Sequence, residues 1–259
     1  MSVKQKFCFA TEVTYPNYTK RVKLNILSDF FKFELDKKGF VYFIATNRPQ
    51  DFEEYTDHAS VKIFHIEDLR KDVPESAVHE LYPEDPRGLY PSKYPWNMRR
   101  FLLKKAAEEG YSGCLYIDAD LKVMQHMDAD SLYNSLVNVY ESNVVGTNSA
   151  IFFYANKTPD DVFNHHDAHI SHFNLQFQPE QYNTLDGPVQ FFMGATPADL
   201  MNMYEKWNFF ALFGYKKEHG FGYGNNKHGN LSFAIPSAGF TLKFISLPIY
   251  PAHCQEDRY

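Results

Sequence analysis

Four short apolar runs, separated by helical stretches or polar turns, most limit what this chain can fold into. Phe7–Ala10, Val41–Ala45, Val61–Ile66 and Cys114–Ile117 are each nearly continuous in apolar character. Strands read this way when both faces of their sheet are covered. Between the first two, Asn17–Lys38 reads as a helix. Val22, Leu24, Ile26, Leu27, Phe30, Phe31 and Leu35 form its broad apolar face, and Gly39 ends it. A second helix is expected over Trp96–Glu109, stopped at Gly110. This β-α-β-β-α-β order within about 120 residues predicts an α/β fold, three layers built on a mostly parallel central sheet. In such sheets ligands lie beyond the carboxyl ends of the strands. Thr11, Asn47, Arg48, Asp118 and Asp120 all fall at those ends.

The second half is less regular. Val144–Tyr154 reads as a strand pair, Phe191–Gly194 as a strand, and Pro197–Trp207 as a helix with Thr196 at its N-cap. A short helix over Leu231–Ser237 and a late strand over Thr241–Leu247 follow. Val73–Pro95 and the Gly/Asn-rich His219–Gly229 read as loops. No repeat and no clean linker interrupts the chain. The expectation is one domain over 1–259, with a ligand-binding half over 1–123 and a second half over 124–259.

Composition excludes some functions. A hydrophobic share of 44% and a charged share of 22% are those of a globular chain. The aromatic share of 17% exceeds what a core of this size needs, so either rings line a groove or the composition is simply biased. Net charge −6 argues against a broad nucleic-acid surface, though a local basic strip stays open. No apolar run approaches the roughly 18 residues of a membrane span. The first residues, MSVKQKFCFAT, lack the apolar stretch of a signal peptide, so the expected location is cytoplasmic. Three separated cysteines suit a reducing compartment, with Cys8 and Cys114 as buried small hydrophobes.

The stretch GCLYIDADLKV, Gly113–Val123, carries the chemistry. A core strand ends in Asp118 and Asp120, with Ala119 between them turned back toward the core. Alternation along a strand points the two aspartates the same way. Two carboxylates so close repel unless a positive charge joins them. One hard divalent cation, Mg²⁺ or Mn²⁺, suits these oxygen ligands and gains more from a substrate's phosphates. The alternative is a solvated acidic turn. In NHHDAHISH, Asn164–His172, His165 and His169 would share a face of a helix and suit zinc, but the stretch reads better as a polar, acceptor-facing loop.

YIDAD after a strand and a basic helix resembles the D-x-D motif of GT-A fold glycosyltransferases. GPVQFFMGATPADLMNMYEKW (Gly187–Trp207) and GNLSFAIPSAGFTLKF (Gly229–Phe244) are similar to that superfamily's acceptor-side strand, helix and following turn. The resemblance implies a Rossmann-like GT-A fold, a nucleotide-diphosphate sugar as donor (a UDP-sugar first), and a hydroxyl acceptor. Thr11, in the loop after the first strand, and Asn47 or Arg48 would lie against the nucleoside, with Ala119 in the same donor-binding set. Arg99 and Arg100 would contact the donor's phosphate or sugar, while Lys104 and Lys105 read as a solvated helix face. His253, in PIYPAHCQED, matches the C-terminal third metal ligand of many members. No carboxylate occupies the position where inverting members carry their base. Either His228 is the base, or the reaction retains configuration with Asp186 or Gln190 near the anomeric carbon, which is favoured. The acceptor is open: a glycan, a protein, or a hydroxymethylated DNA base, the last disfavoured by charge. The wealth of Asn, Tyr, Phe and Lys has the flavour of a viral or phage protein. Two rivals are a sugar-phosphate nucleotidyltransferase, for which ATEVTYPNY lacks the expected glycine, and a degenerate donor-binding module.

Overall fold

The structure, a computed structural model, describes residues 6–13, 16–69, 71, 99–119, 121–124, 128–153, 163–164, 184–185, 189–213, 231, 234–245 and 250–253. The strands are β1 (Phe7–Val13), β2 (Tyr42–Thr46), β3 (Val61–His65), β4 (Gly113–Ile117), β5 (Leu121–Met124), β6 (Ser149–Phe153), β7 (Phe163–Asn164), β8 (Thr184–Leu185), β9 (Val189–Met193), β10 (Thr241–Ile245) and β11 (Tyr250–His253). Seven of them form one sheet in the order β10-β6-β9-β4-β1-β2-β3. All neighbours run parallel except β9, which is antiparallel to both β4 and β6. β5 pairs with β11 and β7 with β8 in two antiparallel ribbons.

Side-chain alternation builds a core on each face of this sheet. On one face, Cys8, Ala10, Phe43, Ala45, Tyr116 and Phe192 meet α4 (Arg99–Glu108) and α6 (Pro197–Phe213). On the other, Phe7, Phe9, Ile44, Leu115, Ile117 and Phe191 meet the Pro16–Lys32 helical rod and α5 (Ala129–Val144). That makes the expected three-layer α/β/α arrangement. Fourteen of the 24 phenylalanines are buried among the described residues alone, so much of the aromatic excess fills these two cores. Cys8 and Cys114 face each other across the β1–β4 ladder as buried free thiols. Burial, and then Cys114 beside it, push the Cys8 thiol well up in pKa. Among the described residues, no helix is long and apolar enough to cross a membrane.

Two expected elements differ. The first helix stops at Lys32, not Lys38: α1 (Pro16–Arg21) and α2 (Ser28–Lys32) are joined by a π-helical stretch, Val22–Leu27. Burying Phe30, Phe33 and Leu35 together requires the chain to turn, since residues 33 and 35 lie on opposite sides of a helix. Glu34 takes positive φ in that turn. The expected strand pair over 144–154 is instead the end of α5 followed by β6 alone. α5 itself was not anticipated. A short helix, α3 (Ile66–Leu69), makes a single turn after β3.

Candidate functional site

The site grows from β4, a strand buried along its whole length. Tyr116 faces α4, Ile117 faces the opposite core, and Asp118 follows on the α4 side. Ala119 packs back into the opposite core at 6% exposure, as the sequence suggested. The Leu121 N–H donates to the Asp118 carbonyl at 3.2 Å, closing a turn that launches β5. In the β5–β11 ribbon Leu121 lies opposite His253. The late strand therefore returns the chain to the residue directly after the D-x-D turn. Asp120 lies outside the described residues, as do Asp186 and His228.

Arg99, at the start of α4 in the described chain, is 2% exposed and ion-paired through its terminal nitrogen with Asp118 Oδ1. Its guanidinium stacks over the Tyr116 ring, 4.2 Å from the centroid. Burial alone would lower the Arg99 pKa. Asp118, Tyr116 and Glu12 together outweigh it, and the guanidinium is held above its ordinary value. Burial pushes the Tyr116 phenol well up, with Arg99 opposing it. The repulsion inherent in the motif is thus answered in part by the chain's own cation. Asp118 keeps its side chain 25% exposed, so it is both anchored and open to solvent. A hard carboxylate oxygen in that position fits Mn²⁺ or Mg²⁺. Among the described residues, no three His, Cys, Asp or Glu side chains converge as a metal site.

The other predicted residues scatter. Arg100 is fully buried, and its Nε donates to Asn208 Oδ1 of α6 at 3.0 Å. It is not brought to Asp118. Thr11 lies inside β1, opposite Ile44, not in a loop after the strand, because β1 continues to Val13. By alternation with Phe9 and Val13 its side chain faces away from the Asp118 side. It is fully buried, and its hydroxyl finds no hydrogen-bond partner among the described residues. Asn47 follows β2, and its side-chain oxygen is likewise buried without a partner among the described residues. Arg48 starts the Pro49–Tyr55 3₁₀ helix and pairs with Asp51 at 2.8 Å. Gln190 is fully buried in β9, in one row with Tyr116 of β4 and Phe152 of β6.

Glu12 and Tyr116 were not singled out from the sequence, yet both belong to the Arg99 surroundings. The available signal was an acid within a largely apolar strand, FCFATEV.

No protein-family model matches the sequence. No curated protein matches it either. Among solved structures, the chain is similar to the apo crystal structure of mouse xyloside xylosyltransferase 1. The identity is 11% and the TM-score 0.47, over 93% of this chain and 85% of that one.

Proposed function

We propose that this chain is a metal-dependent glycosyltransferase of GT-A type. It moves a sugar from a nucleotide-diphosphate sugar, a UDP-sugar first among candidates, to a hydroxyl acceptor. The observation that carries the reading is the meeting of two distant segments: the strand bearing His253 pairs with the strand that leaves the D-x-D turn, His253 opposite Leu121. A solvated acidic turn has no need of that partner. Asp118, Asp120 and His253 are the residues that would hold Mn²⁺ or Mg²⁺, two carboxylates and an imidazole being a suitable donor set. A cation held there would supply positive charge to offset what builds on a leaving diphosphate.

The chain's own residues bind and orient. Asn47 follows β2 with its buried side-chain oxygen lacking a hydrogen-bond partner among the described residues, which supports nucleoside recognition there with Arg48 beside it. Thr11, fully buried inside β1, is not placed for that contact. Arg99 holds Asp118 in place. Asp186 and Gln190 are the candidates beside the anomeric carbon for a retaining transfer, and His228 is the base if the reaction inverts. The acceptor is a glycan or protein hydroxyl before a hydroxymethylated DNA base, given the net charge of −6.

The test is release of nucleotide diphosphate from a panel of nucleotide sugars, with Mn²⁺ or with EDTA. We expect metal-dependent release from one donor, lost in Asp118→Asn and in Asp120→Asn. Neither release nor a donor-dependent rise in melting temperature with any nucleotide sugar overturns the reading. Binding without turnover in the presence of varied acceptors favours the degenerate module.

A further inference from the structure

We propose that Glu12 and Arg99 form a positioning pair that fixes the Asp118 carboxylate and tunes its hold on a divalent cation. The inference rests on the reading of Asp118 as a metal ligand. It begins with register. β1 and β4 run parallel with Ala10 opposite Tyr116. Two residues further along β1, Glu12 lies opposite Ala45, on the same face as Ala10. Asp118 follows Tyr116 on that face too, and adjacent strands are about 4.8 Å apart, so the register carried on by two residues sets both carboxylates at the same end of the sheet.

Arg99 enters that same face from α4. It is buried, ion-paired with Asp118 and stacked on Tyr116, the residue beneath Asp118 on that face. Glu12 acts electrostatically on both Arg99 and Tyr116. The one guanidinium that pairs with Asp118 therefore also stands in the field of a second carboxylate, on the adjacent strand.

Charge counting gives the consequence. Glu12 and Asp118 contribute two negative charges and Arg99 one positive. Together they carry a net charge of about −1, which leaves negative charge for a divalent cation to meet. Without the Glu12 charge, the whole field of Arg99 bears on Asp118, and the cation competes against it. With Lys in place of Arg99, the charge stays but the planar fork that orients the carboxylate is lost. Glu12 sits in the strand, before the turn, and acts through Arg99. Its role is positioning, as outer-sphere partners do for metal ligands.

The experiment is a Mn²⁺ titration read by the free-ion EPR signal, without donor, on the full chain. Wild type, Glu12→Gln, Glu12→Asp, Arg99→Lys and Asp118→Asn are compared, each first checked for folding by its melting transition. We expect the Mn²⁺ dissociation constant to rise about 10-fold in Glu12→Gln and in Arg99→Lys. Glu12→Asp, which keeps the charge, recovers most of that loss. Wild-type affinity in both Glu12→Gln and Arg99→Lys overturns the proposal. So does complete loss in Glu12→Gln, as in Asp118→Asn, since Glu12 would then be a ligand. Mn²⁺ binding in wild type that Asp118→Asn leaves untouched, or no binding in wild type, overturns the metal reading itself.

Discussion

A side chain at residue 113 has no room. A Cβ there would lie 2.9 Å from Phe7 Cβ, 2.9 Å from Tyr140 Cε2 and 3.2 Å from the Phe192 carbonyl oxygen. Tyr140 cannot retreat freely, because its hydroxyl bonds Ser112 Oγ at 2.8 Å and donates to the Gly194 carbonyl at 3.0 Å. Gly113→Ala should therefore cost about 1–3 kcal/mol through overpacking. Urea denaturation checks this, and an unchanged midpoint would count against the crowding argument. The same scale shows what a sequence reading reaches. Asp118 stood out because a carboxylate ending a core strand is conspicuous. Arg99 was named for a donor phosphate, but its partner in the chain is Asp118. Glu12 stayed hidden because its meaning depends on where it lies relative to β4, and local periodicity carries no register between strands whose partners are 106 residues apart.

Elements were legible where their caps and faces were local. Thr196 does begin α6: the Asp199 N–H donates to Thr196 Oγ1 at 3.4 Å, while the Thr196 N–H donates to Asp199 Oδ2 at 2.8 Å. This is the reciprocal logic of a capping box, with Asp in the return position. Helix α5 offered similar signs. Asp128 caps it by accepting from the Ser131 N–H at 2.8 Å, and buried Leu132, Leu136 and Tyr140 recur every fourth residue. The β5–β11 ribbon gave no such sign, since LKVM and YPAH are short and Pro251 lowers any strand reading. For Asp199, burial acts to raise the pKa, but hydrogen bonds from Thr196 and Asn148 prevail and hold it below the usual carboxylate value. A depressed folded pKa contributes stability above the unfolded value, near 3.9, and loses it as pH falls through the folded one. Asp199→Ala should cost about 1 kcal/mol at neutral pH. The gap to wild type should close as pH falls below about 4. Thermal melts across pH 2–7, a range of about five units, test this; a gap that stays constant would assign the loss to packing rather than to the charged cap.

On the scale of the whole molecule, the order of strands in space departs from their order in sequence. β9 lies between β4 and β6, antiparallel to both, and β10 extends the sheet beyond β6. The central sheet thus takes strands from both sequence halves, which no reading of composition or linkers could supply. A second bond joins the halves through the helices: Arg100 of α4 donates to Asn208 of α6, both on the face that carries Asp118. If the two halves fold as one unit, Arg100→Ala and Asn208→Ala should not add. A charged hydrogen bond of this kind contributes about 1.5–3 kcal/mol, and the double variant should lose little more than Arg100→Ala alone. The fluorescence of Trp207, buried in α6, and the far-UV signal of all strands and helices should then follow a single urea transition. Additive losses, or a Trp207 transition separated from the far-UV one, would mean that the second half unfolds independently. The ribbon joining His253 to the D-x-D turn would then have to form against a half that opens by itself, and the site could not rely on the sheet for its rigidity.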